Sequence, residues 1–381
     1  MVKKLPGPKS SKPPPRPSAP AGKSAAETGV AEQQSPAAIS AEEIKAQQRL
    51  LNIFNDTFRD VLSDDDFATT LQKVKQALYN RDFEAAFGSE QFLEVYAARW
   101  SPARALCYSR ILNQITDDLG SLLLADAWGE SEEDEVERGR VSPTVDLEET
   151  RLSSTLRMLA IGGGAAEIVA FGDYLRGAGQ GVAGDLTLLD TGPWGEVVQK
   201  LQTSLTTLPP LSKYASAAAK VANAALVEPA SRLRSTFVQQ DVLQLDSEGL
   251  SKLLGQTPLL VTLLFTLNEL YTSGGIKLTT AFLRNLTATI PAGSLLLVID
   301  SPGSYSEAAV GKEAKKYPMQ WLLDHTLLQT DKLPTEGCTW EKLKSHDSIW
   351  FRLAEGLRYP IELQDMRYQM HLYRAGLRPS D

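Results

Sequence analysis

The chain has 381 residues, with 39 Lys+Arg against 47 Asp+Glu, a formal net charge of −8 and 43% hydrophobic residues. That is enough for one large or two modest domains with a real core, and the acidic balance excludes a protein that coats nucleic acid by bulk charge. Two cysteines (Cys107, Cys338) and three scattered histidines (His325, His346, His371) exclude a disulfide framework and leave no metal-ligand spacing, so no metal is expected.

No secretory signal and no membrane-spanning apolar run occurs, so a soluble intracellular chain without a membrane partner is expected. Residues 1–39 begin with six basic residues and no acid before Glu27, among prolines from Pro6 to Pro20. Such a segment buries too little to offset its chain entropy and is predicted to be a disordered basic tail. Residues 40–125 carry helical periodicity: Ser40 and Glu43 make a capping box, and Ile44, Leu51, Phe54, Phe58 and Leu62 follow on one face. Asp65 or Asp66 is predicted to cap a second helix through Leu71, Val74 and Leu78. Ser101-Pro102 is predicted to start another, from Ala103 to about Leu123. This stretch reads as a small helical domain. Residues 126–150 hold ten acids against Arg138 and Arg140, and are predicted to be an acidic linker or loop.

Residues 151–381 alternate short apolar strands with helical stretches, the pattern of an α/β sheet. The strand candidates are 158–161, 186–189, 237–238, 259–265 and 294–299, then 349–353 and 367–374. The last two lie too close together for a parallel crossover and are predicted to be antiparallel. Five parallel strands closed by such a pair are unusual for a nicotinamide-binding sheet. They are expected for the seven-stranded, Rossmann-like sheet of class I methyltransferases.

The first strand runs into Gly162, Gly163 and Gly164 and then a helix-forming stretch, where glycines permit a sharp turn and close approach of a nucleotide-like ligand. Glu167 stands where a dinucleotide fingerprint has its third glycine. An acid there disfavours a pyrophosphate and is compatible with S-adenosylmethionine, which has no phosphate. Asp190 ends the second strand, placed to accept ribose hydroxyls, and Asp241 follows the third, beside Val242, placed to bind an adenine amino group. Taken singly, each also reads as a turn or cap residue. After the fourth strand come Asn268 and Glu269. Glu269 is a candidate general base and Asn268 a candidate for a nucleobase edge, and the pair reads equally as a helix cap with a first-turn acid. Tyr271, Phe265 and Trp194 are candidates for stacking on a base, or for the core.

Four segments, Met158 to Glu167, Leu263 to Tyr271, Lys316 to Leu327 and Met366 to Arg374, resemble the fungal S-adenosylmethionine-dependent methyltransferases that modify uridine N3 in 25S large-subunit ribosomal RNA. So does Tyr96 to Tyr108 in the helical region. The resemblance implies S-adenosylmethionine as cofactor, large-subunit rRNA or a pre-ribosomal particle as partner, and a nuclear or nucleolar location. It matches Gly162, Gly163 and Gly164 to the cofactor loop, Asp190 to the ribose acid, Asp241 to the adenine acid, and Asn268 with Glu269, the candidate catalytic residues, to the motif after the fourth strand. Asp300 is a second candidate base. RNA contacts are expected at Arg99, Arg104 and Arg110 among Tyr96, Trp100 and Tyr108, or at Lys312, Lys315 and Lys316. The rival readings are a nicotinamide-dependent oxidoreductase and a methyltransferase-like assembly protein without turnover.

Overall fold

Helices come first along the chain. The structure, a computed structural model, describes residues 39–129, 154–303, 305–310, 313–329 and 337–377. Among these, α1 (Ala41–Thr57), α2 (Arg59–Ser63), α3 (Phe67–Tyr79), α4 (Phe83–Phe87), α5 (Glu90–Arg99), α6 (Ser101–Gln114) and α7 (Thr116–Gly129) precede the sheet. The basic tail, up to residue 38, and the acidic stretch from residue 130 lie outside the described residues. Ser40 caps α1 as expected, its Oγ accepting the Glu43 N–H at 3.1 Å. Asp66 occupies the cap position of α3 but makes no capping bond; it donates its own N–H to Asp64 Oδ1 at 2.8 Å. The helix expected from Ala103 to Leu123 is two, α6 and α7, parted at Ile115. The second continues to Gly129, past the expected boundary at Asp126.

The sheet region follows as β1 (Ser154–Ile161), α8 (Ala165–Gly177), β2 (Val182–Asp190), α9 (Gly195–Thr206), α10 (Ala217–Val221), β3 (Leu233–Gln239), α11 (Ser247–Leu254) and β4 (Leu260–Leu264). After these come α12 (Leu267–Ser273), α13 (Gly275–Thr289), β5 (Leu295–Asp300), the hairpin β6 (Tyr305–Val310) and β7 (Glu313–Pro318), α14 (Met319–Leu327), β8 (Thr339–Phe351) and β9 (Met366–Gly376). The seven-stranded sheet has the order β3-β2-β1-β4-β5-β9-β8. Neighbours among β1 to β5 are parallel, and β9 runs antiparallel to both β5 and β8. The expected strands and the antiparallel terminal pair are therefore present. Two features differ from expectation. The β6–β7 hairpin was not among the expected strands. Strand β8 begins at Thr339 rather than Ile349, because register shifts after Lys342 and His346 break its alternation.

Strand order reverses between β1 and β4, so the carboxyl ends of these strands border a crevice. One face of the sheet shares a core with α1, α5, α6, α8 and α9, including Phe54, Leu93, Leu106, Phe171 and Leu201. The other face packs against α11, α13 and α14 through Leu250, Leu283, Leu286 and Leu323. Helix α6 lies along α8, where Ser109 Oγ donates to Asp173 Oδ2 at 2.5 Å in a buried bond. This packing carries the first helices to the crevice. No helix of the described residues is long and apolar enough to cross a membrane.

Candidate active site

The turn between β1 and α8 is shaped by its glycines. Gly162 has φ 69°, and a Cβ there would lie 2.3 Å from Thr266 Oγ1; its N–H donates to Leu189 O at 2.7 Å. A Cβ on Gly163 would meet Ala160 at 2.6 Å, and one on Gly164 the Trp194 indole at 2.9 Å. We therefore expect Gly162→Ala to lose about 2–5 kcal/mol, from left-handed strain together with overpacking. Urea unfolding would read that loss, and S-adenosylhomocysteine titration would show weakened binding. An unchanged midpoint would contradict this account of the turn.

The Gly164 N–H donates to Glu167 Oε2 at 2.8 Å. The Glu167 carboxyl thus occupies the helix N-terminus, where a dinucleotide would place a pyrophosphate. Burial pushes its pKa up, opposed by the Gly164 bond. The expectation drawn from Glu167 has a geometric basis: the anion site is filled from within.

Two adjoining cavities open over this turn, of about 40 and about 270 Å³, sharing Phe87, Gly162, Asp190, Thr266 and Glu269. Asp190 Oδ1 accepts the Gly192 N–H at 2.7 Å, and burial pushes its pKa up to about 6, opposed by hydrogen bonds from Gly192, Trp194 and Thr191. Asp241 lines the larger cavity and also caps the short turn Val242–Gln244, accepting the Leu243 N–H at 2.9 Å. Glu269 lines both cavities. Burial pushes its pKa up to about 7, with the Arg104 guanidinium pulling it down and Asp300 and Asp190 pushing it further up. A carboxyl with a pKa near neutrality is suited to general-base work.

The structure thus brings Gly162, Gly164, Asp190, Asp241 and Glu269 to one cleft. Gly163 lines neither of its cavities and serves the turn. Asn268 lines neither; its N–H donates to Asp300 Oδ2 at 3.0 Å. Asp300 is buried and also accepts the Ser301 N–H at 2.7 Å. The Asn268–Asp300 bond ties the first turn of α12 to the end of β5. Tyr271 is buried in the core, whereas Trp194 and Phe265 line the smaller cavity.

The arginine cluster is divided. Arg104 lines the smaller cavity with Tyr96, while Arg110 is exposed and lines neither. Arg104 hydrogen-bonds the Tyr96 hydroxyl and lines the cleft. Lys315 and Lys316 fall on β7, but the side chains of the lysine group lie outside the described residues. Phe87 and Thr266 were not among the sequence candidates; Phe87 comes from α4, far from any glycine motif.

The strand order, with its single antiparallel strand next to β5, together with a glycine turn whose helix N-terminus already holds the Glu167 carboxyl, is that of a class I methyltransferase and not of a nicotinamide-dependent oxidoreductase. The chain belongs to the family described as "Putative SAM-dependent methyltransferase", whose model matches residues 54–374. S-adenosylmethionine is its cofactor, and the cleft fits it: a closed anion site, an acid at the end of β2, and a cavity beyond. The chain is 28% identical over 352 residues to the Saccharomyces cerevisiae protein named 25S rRNA (uridine(2843)-N(3))-methyltransferase, covering 86% of this chain and 85% of that one. Among solved structures, a SAM-dependent methyltransferase from Methanosarcina mazei matches with 10% identity over 58% of this chain and 93% of that one, TM-score 0.33. The 16S rRNA (adenine(1408)-N(1))-methyltransferase of Catenulisporales acidiphilia matches with 13% identity over 59% of this chain and 89% of that one, TM-score 0.33.

Proposed function

We propose that this chain methylates N3 of a uridine in large-subunit ribosomal RNA, on the RNA or on a pre-ribosomal particle, in the nucleus or nucleolus. The observation that carries this reading is the likeness to the yeast enzyme over 86% of the chain, more than residues 154–377 alone can supply.

N3 of uracil is a weakly acidic imide, and base pairing hides it, so the target must be unpaired or flipped out. Bound S-adenosylmethionine supplies a sulfonium methyl group: the N3–CH₃ bond forms as the S–CH₃ bond breaks, and its electron pair returns to sulfur. Glu269 accepts the N3 proton on its carboxylate. Asp190 holds the ribose hydroxyls, and Asp241 the adenine amino group beside the apolar Val242. Trp194, Tyr96 and Phe87 keep water off the glycine turn. Their rings stand 5.1 to 6.4 Å apart, centre to centre. Positioning of the acceptor nitrogen, with removal of its proton, supplies the rate.

The test is mass spectrometry of nucleosides from large-subunit rRNA with and without the gene. Loss of 3-methyluridine is expected. Undiminished 3-methyluridine, with a different methylated nucleoside missing, would overturn the proposed acceptor.

A further inference from the structure

Beside the cofactor cleft lies a third cavity of about 200 Å³, walled by Arg99, Trp100, Arg104, Phe265, Met366 and Arg367. Arg104 and Phe265 also line the smaller cavity of the cleft, so the two spaces adjoin at these side chains. The opposite wall is the connection from β8 to β9, and it is pinned to the helices. Tyr359 Oη donates to Ala98 O at 2.8 Å, the Gln48 amide donates to Arg358 O at 2.9 Å, and the Arg358 N–H donates to Gln48 Oε1 at 2.7 Å. Phe265 holds a left-handed φ of 61° while its N–H donates to Ile299 O at 2.7 Å. Left-handed backbone costs a residue with a Cβ about 1–2 kcal/mol and persists where surroundings impose it, commonly at functional sites.

We propose that the base of the acceptor uridine lies across this third cavity and the smaller cavity of the cleft, with N3 turned toward Glu269 in the cleft, and that the Arg104 guanidinium pairs with the O4 carbonyl beside N3 and holds the charge of the imide anion. The proposal rests on the reaction proposed above and adds where the acceptor sits and what selects it. The walls present aromatic rings and guanidinium planes, the surfaces on which unstacked bases are held. Arg104 lies 5.5 and 5.2 Å over the rings of Tyr96 and Phe265. It keeps its proton at any working pH and donates only. In uracil both groups flanking N3 are acceptors, whereas cytosine carries an amino donor at C4, so a fixed donor placed at the C4 side selects uracil. When the N3 proton leaves, the charge spreads to the two oxygens, and the bond from Arg104 strengthens as the reaction requires.

The rim extends the same chemistry. Trp350 is 51% exposed, with Arg352 at 4.0 Å and Arg367 at 5.6 Å from its ring centre. It offers a stacking face for a neighbouring base, and Arg367 stands beside it for a phosphate. Asp365 also lines the cavity, but its carboxylate is engaged by Arg352 at 2.7 Å and by the Leu353 N–H at 3.0 Å.

The experiment is photo-cross-linking of an oligouridylate RNA carrying 4-thiouridine to the full chain in the presence of S-adenosylhomocysteine, with the adducts mapped by peptide mass spectrometry. Adducts are expected on Trp100, Phe265 or Met366, and Met366→Trp, which fills the cavity, should abolish them while S-adenosylhomocysteine affinity is kept. Adducts that fall elsewhere, persist in Met366→Trp or do not form overturn the assignment. Arg104→Gln should erase the preference for oligouridylate over oligocytidylate and move the pH dependence of methyl transfer upward, since Arg104 holds the Glu269 acid down. An unchanged preference removes Arg104 from recognition. The cross-link result is independent of the nucleoside analysis, so a wrong acceptor site and a wrong reaction show in different measurements.

Discussion

Glu269→Gln is expected to lower methyl transfer by about 10²–10⁴-fold, the usual contribution of a positioned proton acceptor, while S-adenosylhomocysteine still binds. Glutamine keeps the volume and hydrogen-bonding shape of the side chain and cannot take a proton. Burial gives Glu269 a pKa of about 7, so the wild-type rate should rise with pH through about 7 and level off as the carboxylate form fills. The variant should lack that limb. Stability has the opposite sign: a carboxyl whose folded pKa is raised stabilises the fold fully below its unfolded pKa, and the contribution is lost as pH rises through about 7. Glu269→Gln should therefore be at least as stable as wild type above neutrality, which separates loss of turnover from loss of structure. Full turnover in the variant would remove Glu269 from the mechanism.

Asp190→Asn should raise the dissociation constant for S-adenosylhomocysteine by about 10–100-fold. Hydrogen bonds to a charged group are worth about 1.5–3 kcal/mol, and each 1.4 kcal/mol is tenfold. The asparagine oxygen can still accept the Gly192 N–H, bonded at 2.7 Å in the wild type, so the turn after β2 is kept. Because Asp190 titrates near pH 6 before ligand arrives, and ribose hydroxyls favour the ionised form, affinity should increase as pH rises through about 6. Calorimetric titration across that range reads both effects. Equal affinity in wild type and variant would move the ribose elsewhere.

The elements legible in the sequence are those set by neighbours along the chain. The β1 strand, the Gly162 to Gly164 turn and the helix behind it need only an apolar run, glycines and a capping acid. The antiparallel pairing of β9 with β8 follows from a connection too short for a crossover. Glu167 was readable because its partner, the Gly164 N–H, is three residues away. Arg104 was visible as a charge among aromatics but was expected on an RNA-facing patch, since its meeting with Glu269 and Phe265 depends on how α6 packs. Phe87 left no signal for the same reason. Asp300 shows the converse: an acid at a strand end looks the same in sequence whether it faces a ligand or, as here, holds a backbone amide, that of Asn268. The left-handed turn at Phe265 was hidden because nothing in an isolated phenylalanine announces it.

The seating of α6 on α8 has a consequence for how this scaffold can be reused. Residues 154–377 contain every strand of the main sheet, the glycine turn, Asp190 and Asp241, and by motif they look like a portable catalytic module. They are not one. Cutting the chain ahead of β1 would uncover the apolar face of α8 at Ile168, Phe171 and Leu175, and would remove Phe87, Tyr96 and Arg104 from the cleft. A chimera that grafts a foreign recognition segment onto this sheet must therefore rebuild part of the donor pocket as well. If Arg104 selects the acceptor as proposed, specificity and methyl-donor binding are inherited together, because α5 and α6 line both spaces.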